Sequence, residues 1–434
     1  MSTTAVGNLF APLASLASAP LLAQGLGVEG RGETAAVVAP LLLVTLGATF
    51  GIPAALTFFS ARDPRLVGVL LRRGTRLLFA AGLMGSVVVV ASSTVLAADD
   101  PQLSTLIAWS ALGVVPTLMA GGLQAIAAGA NRWQLIAADR FVAAAVRLGA
   151  IACLSVTGQL TVVTAVLVLA MSPAVGATVY VRLIVTFRTE EVPVDGGRGI
   201  SARILGYGSR VWIGSVSGVI LARLDQVVMV PLADARQLGL YAVAVTVGEL
   251  PLLVNSAVRD VMFSADASSN QSEVLGRSAR ISTLAVSAVA AMMAVSALWW
   301  IPPVFGADFA GAVPLAAVIL VAAAVNNPGS VAGAGLAARG RPGLRSLSLA
   351  VAGAVNLALV FALVPSFGAM GAAVATLAGG FVSSNLNIVL LWRACHVDPR
   401  AFYGVRRDDI SLVRGFVTRA AKASRVLPAR VTSP

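Results

Sequence analysis

The chain has 434 residues, 58% hydrophobic and only 12% charged, with 31 Lys or Arg against 19 Asp or Glu and a net charge of +12. A soluble domain carries about 25% charged residues, so this composition excludes an ordinary soluble globule. Nucleic acid is excluded as a partner too, because the arginines fall in alternate gaps between apolar stretches and form no single basic patch.

The apolar stretches are roughly twenty residues long, enough to cross a bilayer as a helix at about 1.5 Å per residue. About twelve are predicted, near 6–26, 35–59, 77–98, 103–127, 134–156, 160–185, 202–230, 238–263, 281–301, 313–336, 346–364 and 368–391. The first lacks the basic leader of a signal peptide and reads as an uncleaved span. The gap after it holds Glu29, Arg31 and Glu33. The next runs from Ala61 to Arg76 with Arg62, Arg65, Arg72, Arg73 and Arg76 against Asp63. Asp99 and Asp100 follow, then Arg132 and Arg140, then the uncharged Thr157–Leu160, then Arg182, Arg188, Arg198 and Arg203. The second half repeats the rhythm with Asp234 and Arg236, Arg277 and Arg280, Asp308, and finally Arg339, Arg341 and Arg345. Basic loops stay on the cytoplasmic side. Odd gaps are therefore external, even gaps internal and both termini cytoplasmic. Trp109, Trp299 and Trp300 fall near external ends and Trp133 and Trp392 near internal ones, as interfacial belts require.

The expected architecture is an all-α polytopic membrane protein. Residues 1–186 form an N-terminal six-helix bundle and 200–392 a C-terminal one, around a central cavity. Residues 187–199 form a cytoplasmic linker, and 393–434 a basic tail too short and charged to bury a core. Within the tail, 405–426 reads as an amphipathic surface helix or a disordered segment. Cys153 lies in a span and Cys395 in the tail, which disfavours a disulfide framework. His396 is the only histidine, leaving no cluster for a metal and no sign of a cofactor.

The halves also resemble each other. Gly32-Glu33-Thr34-Ala35 has a counterpart in Gly239-Leu240-Tyr241-Ala242. Pro116 with Gly129-Ala130-Asn131-Arg132 echoes Pro328 with Gly340-Arg341, and Thr157-Gly158 pairs with Phe367-Gly368. The common offset is about 210 residues. Six spans per repeat give both halves the same orientation, an arrangement in which transporters hold substrate between rocking halves.

Leu26-Gly27-Val28-Glu29-Gly30-Arg31-Gly32 leading to Gly51-Ile52-Pro53, Arg223-Leu224-Asp225, and Gly239-Leu240-Tyr241-Ala242-Val243-Ala244 with Glu249-Leu250-Pro251 carry a family resemblance. So do Val304-Phe305-Gly306-Ala307-Asp308-Phe309 with Ala312-Val313-Pro314, and Gly368-Ala369-Met370-Gly371-Ala372-Ala373. In this order they resemble Wzx-type polysaccharide flippases of the multidrug/oligosaccharidyl-lipid/polysaccharide exporter superfamily. Phe263-Ser264 departs from the pattern, where that branch has a proline after the phenylalanine. The resemblance implies a twelve-helix fold of two bundles in a bacterial cytoplasmic membrane. It also implies transfer of polyprenyl-pyrophosphate-linked oligosaccharide to the outer leaflet. Membrane lipids, a polysaccharide polymerase and other assembly proteins are the partners it suggests.

Helical periodicity puts Arg203, Tyr207, Arg210, Gly214, Ser217, Gly218, Leu221 and Asp225 on one face of the seventh span, with Arg223 off it. Arg140 and Arg147 give the fifth span a basic face. Arginine forks suit phosphate oxygens, so Arg140, Arg147, Arg203, Tyr207, Arg210 and Ser217 are the candidate cavity residues. Arg140 and Arg203 also suit plain snorkelling at the interface. Asp225 is a coupling carboxylate or an arginine's structural partner. Glu249, near mid-membrane, is a proton site or a hydrogen-bonded carboxyl beside the Pro251 kink. Pro20, Pro40, Pro116, Pro173, Pro251 and Pro328 are expected to bend their spans.

A membrane enzyme would need external catalytic residues, and the short external gaps offer no nucleophile–base pair or metal constellation. The rival transporters are a drug/cation antiporter of the same superfamily, which would favour an acidic, aromatic pocket, and a peptidoglycan-precursor flippase.

Overall fold

The computed structural model describes residues 2–181, 199–265, 271–404 and 406. The linker apart from Gly199, and the tail after Gly404 apart from Arg406, thus lie outside the described residues. Thirteen helices are described: α1 Ser2–Gly47, α2 Ile52–Arg62, α3 Val67–Leu96, α4 Pro101–Ser110, α5 Val114–Gly129, α6 Trp133–Val156, α7 Val162–Gly176, α8 Ile200–Leu232, α9 Ala235–Ala265, α10 Gln271–Phe305, α11 Ala312–Ala338, α12 Pro342–Phe367 and α13 Ala369–Cys395. Among the described residues there is no strand.

Eight helical stretches are long and apolar enough to cross a membrane, or nine with the bent pair Pro12–Gly47 and Ile52–Arg62. The twelve expected spans are largely helical where described, broken at residues 48–51 and at 160–161, but they do not all stand as separate apolar rods. Spans one and two are joined in α1, interrupted only at Gly27 (φ 70°, ψ −174°). In α6, Asp139, Arg140 and Arg147 interrupt the apolar run. The 45° bend of the second span falls at Ala48–Gly51, away from Pro40. There Phe50 (φ 44°) and Gly51 (φ 67°) adopt left-handed backbone, a conformation cheap for glycine and costly for phenylalanine.

Large apolar side chains point outward: Val87, Val95, Met292, Val295, Leu298, Phe361 and Phe381 are all exposed. Such a surface suits hydrocarbon and would aggregate in water. The interior is built instead from small residues that let backbones meet, as membrane helices favour. A Cβ on Gly32 (α1) would lie 1.7 Å from the Ala235 carbonyl oxygen, and one on Gly239 (α9) 2.0 Å from that of Val28. Each glycine thus meets the carbonyl of the residue four before the other. Gly51 and Gly208 make a second close approach, 2.1 Å from a Cβ on Gly51 to the Gly208 carbonyl oxygen.

Gaps assigned to one side gather at one end. Glu33 lies within electrostatic reach of Glu29 and of Asp100, and the Gln24 amide donates to the Val304 carbonyl at 2.8 Å. At the opposite end the first tail residues do pack, contrary to expectation. Val397 and Phe402 bury against Leu275, Leu336 and Leu391, and Arg280 donates to the Ala401 carbonyl at 2.7 Å.

Candidate functional site

Charged side chains from α1, α6, α8 and α9 come together in the interior. On α8 and α9, Arg223 Nη2 donates to Glu249 Oε1 at 3.3 Å. From α6, Arg147 lies within electrostatic reach of Glu249, and from α1, Arg31 lies close enough to Arg147 to repel it. The Nε atoms of Arg31 and Arg147 are buried without a hydrogen-bond partner. Arg223 and Arg147 sit nine residues before the ends of their helices, about 13 Å in at 1.5 Å per residue. Two guanidinium groups, those of Arg147 and Arg223, thus face one carboxylate at similar depth, and Arg31 adds a third positive charge beside Arg147. Buried donors are normally satisfied, so the two orphaned Nε groups mark where an acceptor-rich, anionic ligand would be stabilised.

A groove runs from this cluster along α5 and α6. Its deeper chamber, about 320 Å³, is lined by Thr117, Gln124, Asp139, Arg140, Arg147 and Ser172. A second chamber of about 370 Å³ shares Gly121, Gln124 and Arg140 and reaches Pro53, Thr57 and Trp133. The space exists because Ala120, Gly121, Ala125 and Ala128 on α5 and Ala143 and Ala144 on α6 project so little. Asp139 is held rigid at its wall: the Tyr180 hydroxyl donates to Oδ2 at 3.0 Å, and Gly176 leaves just the room Oδ1 needs.

The other predicted site residues separate into groups. Arg140 and Arg147 line the groove. Arg203 and Tyr207 instead build a latch against α2. Tyr207 stacks on Phe58 at 4.6 Å, Arg203 covers the Phe59 ring at 5.1 Å, and Trp212 stacks on Phe50 and donates to the Gly47 carbonyl. Arg210 is exposed, away from the cluster's contacts. Ser217 is half-buried, on a stretch that packs within the C-terminal helices: Gly214 meets Ser346, and Leu221 meets Gly379. Asp225 is buried, accepting from the Tyr241 hydroxyl, from Thr376 Oγ1 at 3.2 Å and from the Gln226 amide at 2.8 Å. Its contacts tie α8 to α9 and α13. Glu249, expected as a proton site or a hydrogen-bonded carboxyl beside the Pro251 kink, has the Arg223 guanidinium beside it.

Sequence reasoning missed Arg31, Arg223 and Asp139. Arg31 was assigned to an external gap, yet the helix resumes at Val28, directly after Gly27. Its signal was the Gly27 that ends one helix and starts the next.

The chain belongs to the family described as polysaccharide biosynthesis protein, whose sequence profile matches residues 29–314. Its fold is similar to that of a lipid II flippase MurJ in an inward closed conformation, with TM-score 0.74 and 13% identity over 93% of this chain and 89% of that one. It is similar also to a multidrug resistance MATE family transporter of the MOP superfamily in its inward-facing conformation, with TM-score 0.70 and 14% identity over 91% and 98%. A MOP superfamily transporter from Pyrococcus furiosus gives 0.59 and 14% identity over 91% and 94%. No curated protein sequence matches the chain. The protein is a multi-pass membrane protein with the MOP transporter fold.

Proposed function

We propose that this protein is a flippase that moves a polyprenyl-pyrophosphate-linked oligosaccharide from the cytoplasmic to the outer leaflet for surface polysaccharide synthesis. The carrying observation is the interior cluster of Arg31, Arg147 and Arg223 with two unsatisfied guanidinium Nε groups. Charge inside a membrane is costly and its presence favours a functional role. Three positive groups against one negative suit a pyrophosphate and disfavour a cationic drug. The groove beside the cluster offers Gln124, Thr117 and Ser172 as hydrogen-bonding groups for sugar and Trp133 as an apolar platform.

The two halves, α1–α7 and α8–α13, would rock about the contact of Gly32 with Gly239. The reciprocal form of that contact supports a pseudo-twofold relation between residues 1–186 and 200–392. The inward-facing MATE structure matches this chain better than an outward-facing one, at 0.70 against 0.58. An inward conformation with its cytoplasmic aromatic latch engaged is therefore the reading adopted. Transport would then open the latch, admit the headgroup to the arginines and break the glycine seam.

The test is depletion of the protein in its host. Lipid-linked oligosaccharide should accumulate in the inner leaflet, and restoring the wild-type protein should clear it. Accumulation of a peptidoglycan precursor instead would move the assignment to that glycan, and no accumulation of either would refute a flippase role.

A further inference from the structure

We propose that Glu249 is the resident counter-anion of the arginine cluster, occupying in the empty protein the position a ligand phosphate takes. Glu249 would thereby set how much anionic charge a lipid must carry to enter. The proposal rests on the cavity being an anion site, as argued above, but not on the ligand's glycan.

The Arg223–Glu249 pair is a single contact of 3.3 Å between side chains that stay 33% and 46% exposed. It is wetted and can open, unlike the Asp225 carboxylate, which has three partners and is buried. Glu249 also faces Arg147 across the groove, so one carboxylate serves arginines from both the N-terminal and C-terminal helices. Its single negative charge leaves the mutual repulsion of Arg31 and Arg147 only partly offset.

A ligand must outcompete this internal carboxylate. An ordinary anionic phospholipid carries one phosphate diester with one negative charge, the same as Glu249, and gains little by exchange. A pyrophosphate brings a second charge and further acceptor oxygens matched to guanidinium forks. The abundant membrane phospholipids would thus be held out while the rare pyrophosphate lipid is admitted. Specificity here is a difference between two affinities, and an internal competitor widens it.

The experiment measures thermal stabilisation of the purified full-length protein in detergent by farnesyl pyrophosphate and by phosphatidylglycerol. Wild-type protein should respond to farnesyl pyrophosphate at concentrations at least ten-fold below those of phosphatidylglycerol. In Glu249→Gln the phosphatidylglycerol concentration for half-maximal effect should fall at least ten-fold, narrowing the gap between the two lipids. Arg223→Gln should weaken both. If Glu249→Gln does not fold, Glu249→Asp, with its carboxylate drawn back from Arg223, should shift phosphatidylglycerol about three-fold in the same direction. A wild-type response with unchanged or weaker phosphatidylglycerol binding in these variants overturns the counter-anion role alone. Absence of response to either lipid in wild type and variants overturns the anion site and the counter-anion role together.

Discussion

Arg210 and Arg223 lie thirteen residues apart on one helix and sit in different surroundings. Arg223 makes the ion pair of the central cluster, whereas Arg210 is exposed away from it. Arg223→Ala should therefore reduce export of the lipid-linked glycan at least ten-fold, and Arg210→Ala less than three-fold, with both proteins inserted normally. Equal effects would dissociate the cluster from transport. The periodic face from Arg203 to Asp225 was visible in the sequence, but periodicity reports which residues share a face and not what the face meets. From Gly214 onward that face meets α12 and α13, so its deeper polar groups satisfy the bundle interior. Arg223, off the stripe, reaches Glu249 on α9, as Asp225 on the stripe reaches Tyr241 of the same helix.

At the scale of helices, the arrangement depends on where side chains are missing. The offset of about 210 residues paired Gly32 with Gly239 in the sequence; that the two would touch was not legible, because a repeat fixes equivalence and not the position of its axis. A Cβ on Gly32 would meet a backbone carbonyl at 1.7 Å, whereas one on Gly121 meets nothing within 4 Å. Overpacking of this kind costs about 1–3 kcal/mol or more when the obstacle cannot move, and here the obstacle is backbone. Gly32→Ala should lower the melting temperature of the purified protein by several degrees, and Gly121→Ala should leave it unchanged. A Gly32→Ala protein of wild-type stability would mean that the helices part easily at this seam. The 45° bend between Gly47 and Ile52 sits at Phe50 and Gly51, where left-handed backbone turns the chain and Pro53 opens the next helix.

For the molecule as a whole, the all-helical, multi-pass character was the most legible property, since lipid thickness acts on long stretches and tolerates local error. What the sequence blurred was the separateness of the spans, because the polar groups that serve the cavity interrupt the apolar runs. With Cys153 and Cys395 replaced by serine, single cysteines at positions 99 and 308 should react with an impermeant label from outside intact cells. Cysteines at 72 and 341 should react only after lysis. Labelling of position 341 from outside would overturn the assigned orientation.

The flippase assignment itself is tested most directly by leaflet transfer in a defined membrane. Wild-type and Arg147→Ala proteins are reconstituted into liposomes with a fluorescent polyprenyl-pyrophosphate oligosaccharide, and the fraction reaching the opposite leaflet is followed by an impermeant quencher. Arg147 is chosen because its Nε is buried without a partner at the junction of groove and cluster. Wild-type protein should move the lipid well above the protein-free rate, and Arg147→Ala should lower that movement at least ten-fold, with Arg147→Lys recovering part of it because an ammonium lacks the planar fork. Transfer by wild-type protein no faster than in empty liposomes, or undiminished in Arg147→Ala, would contradict the account.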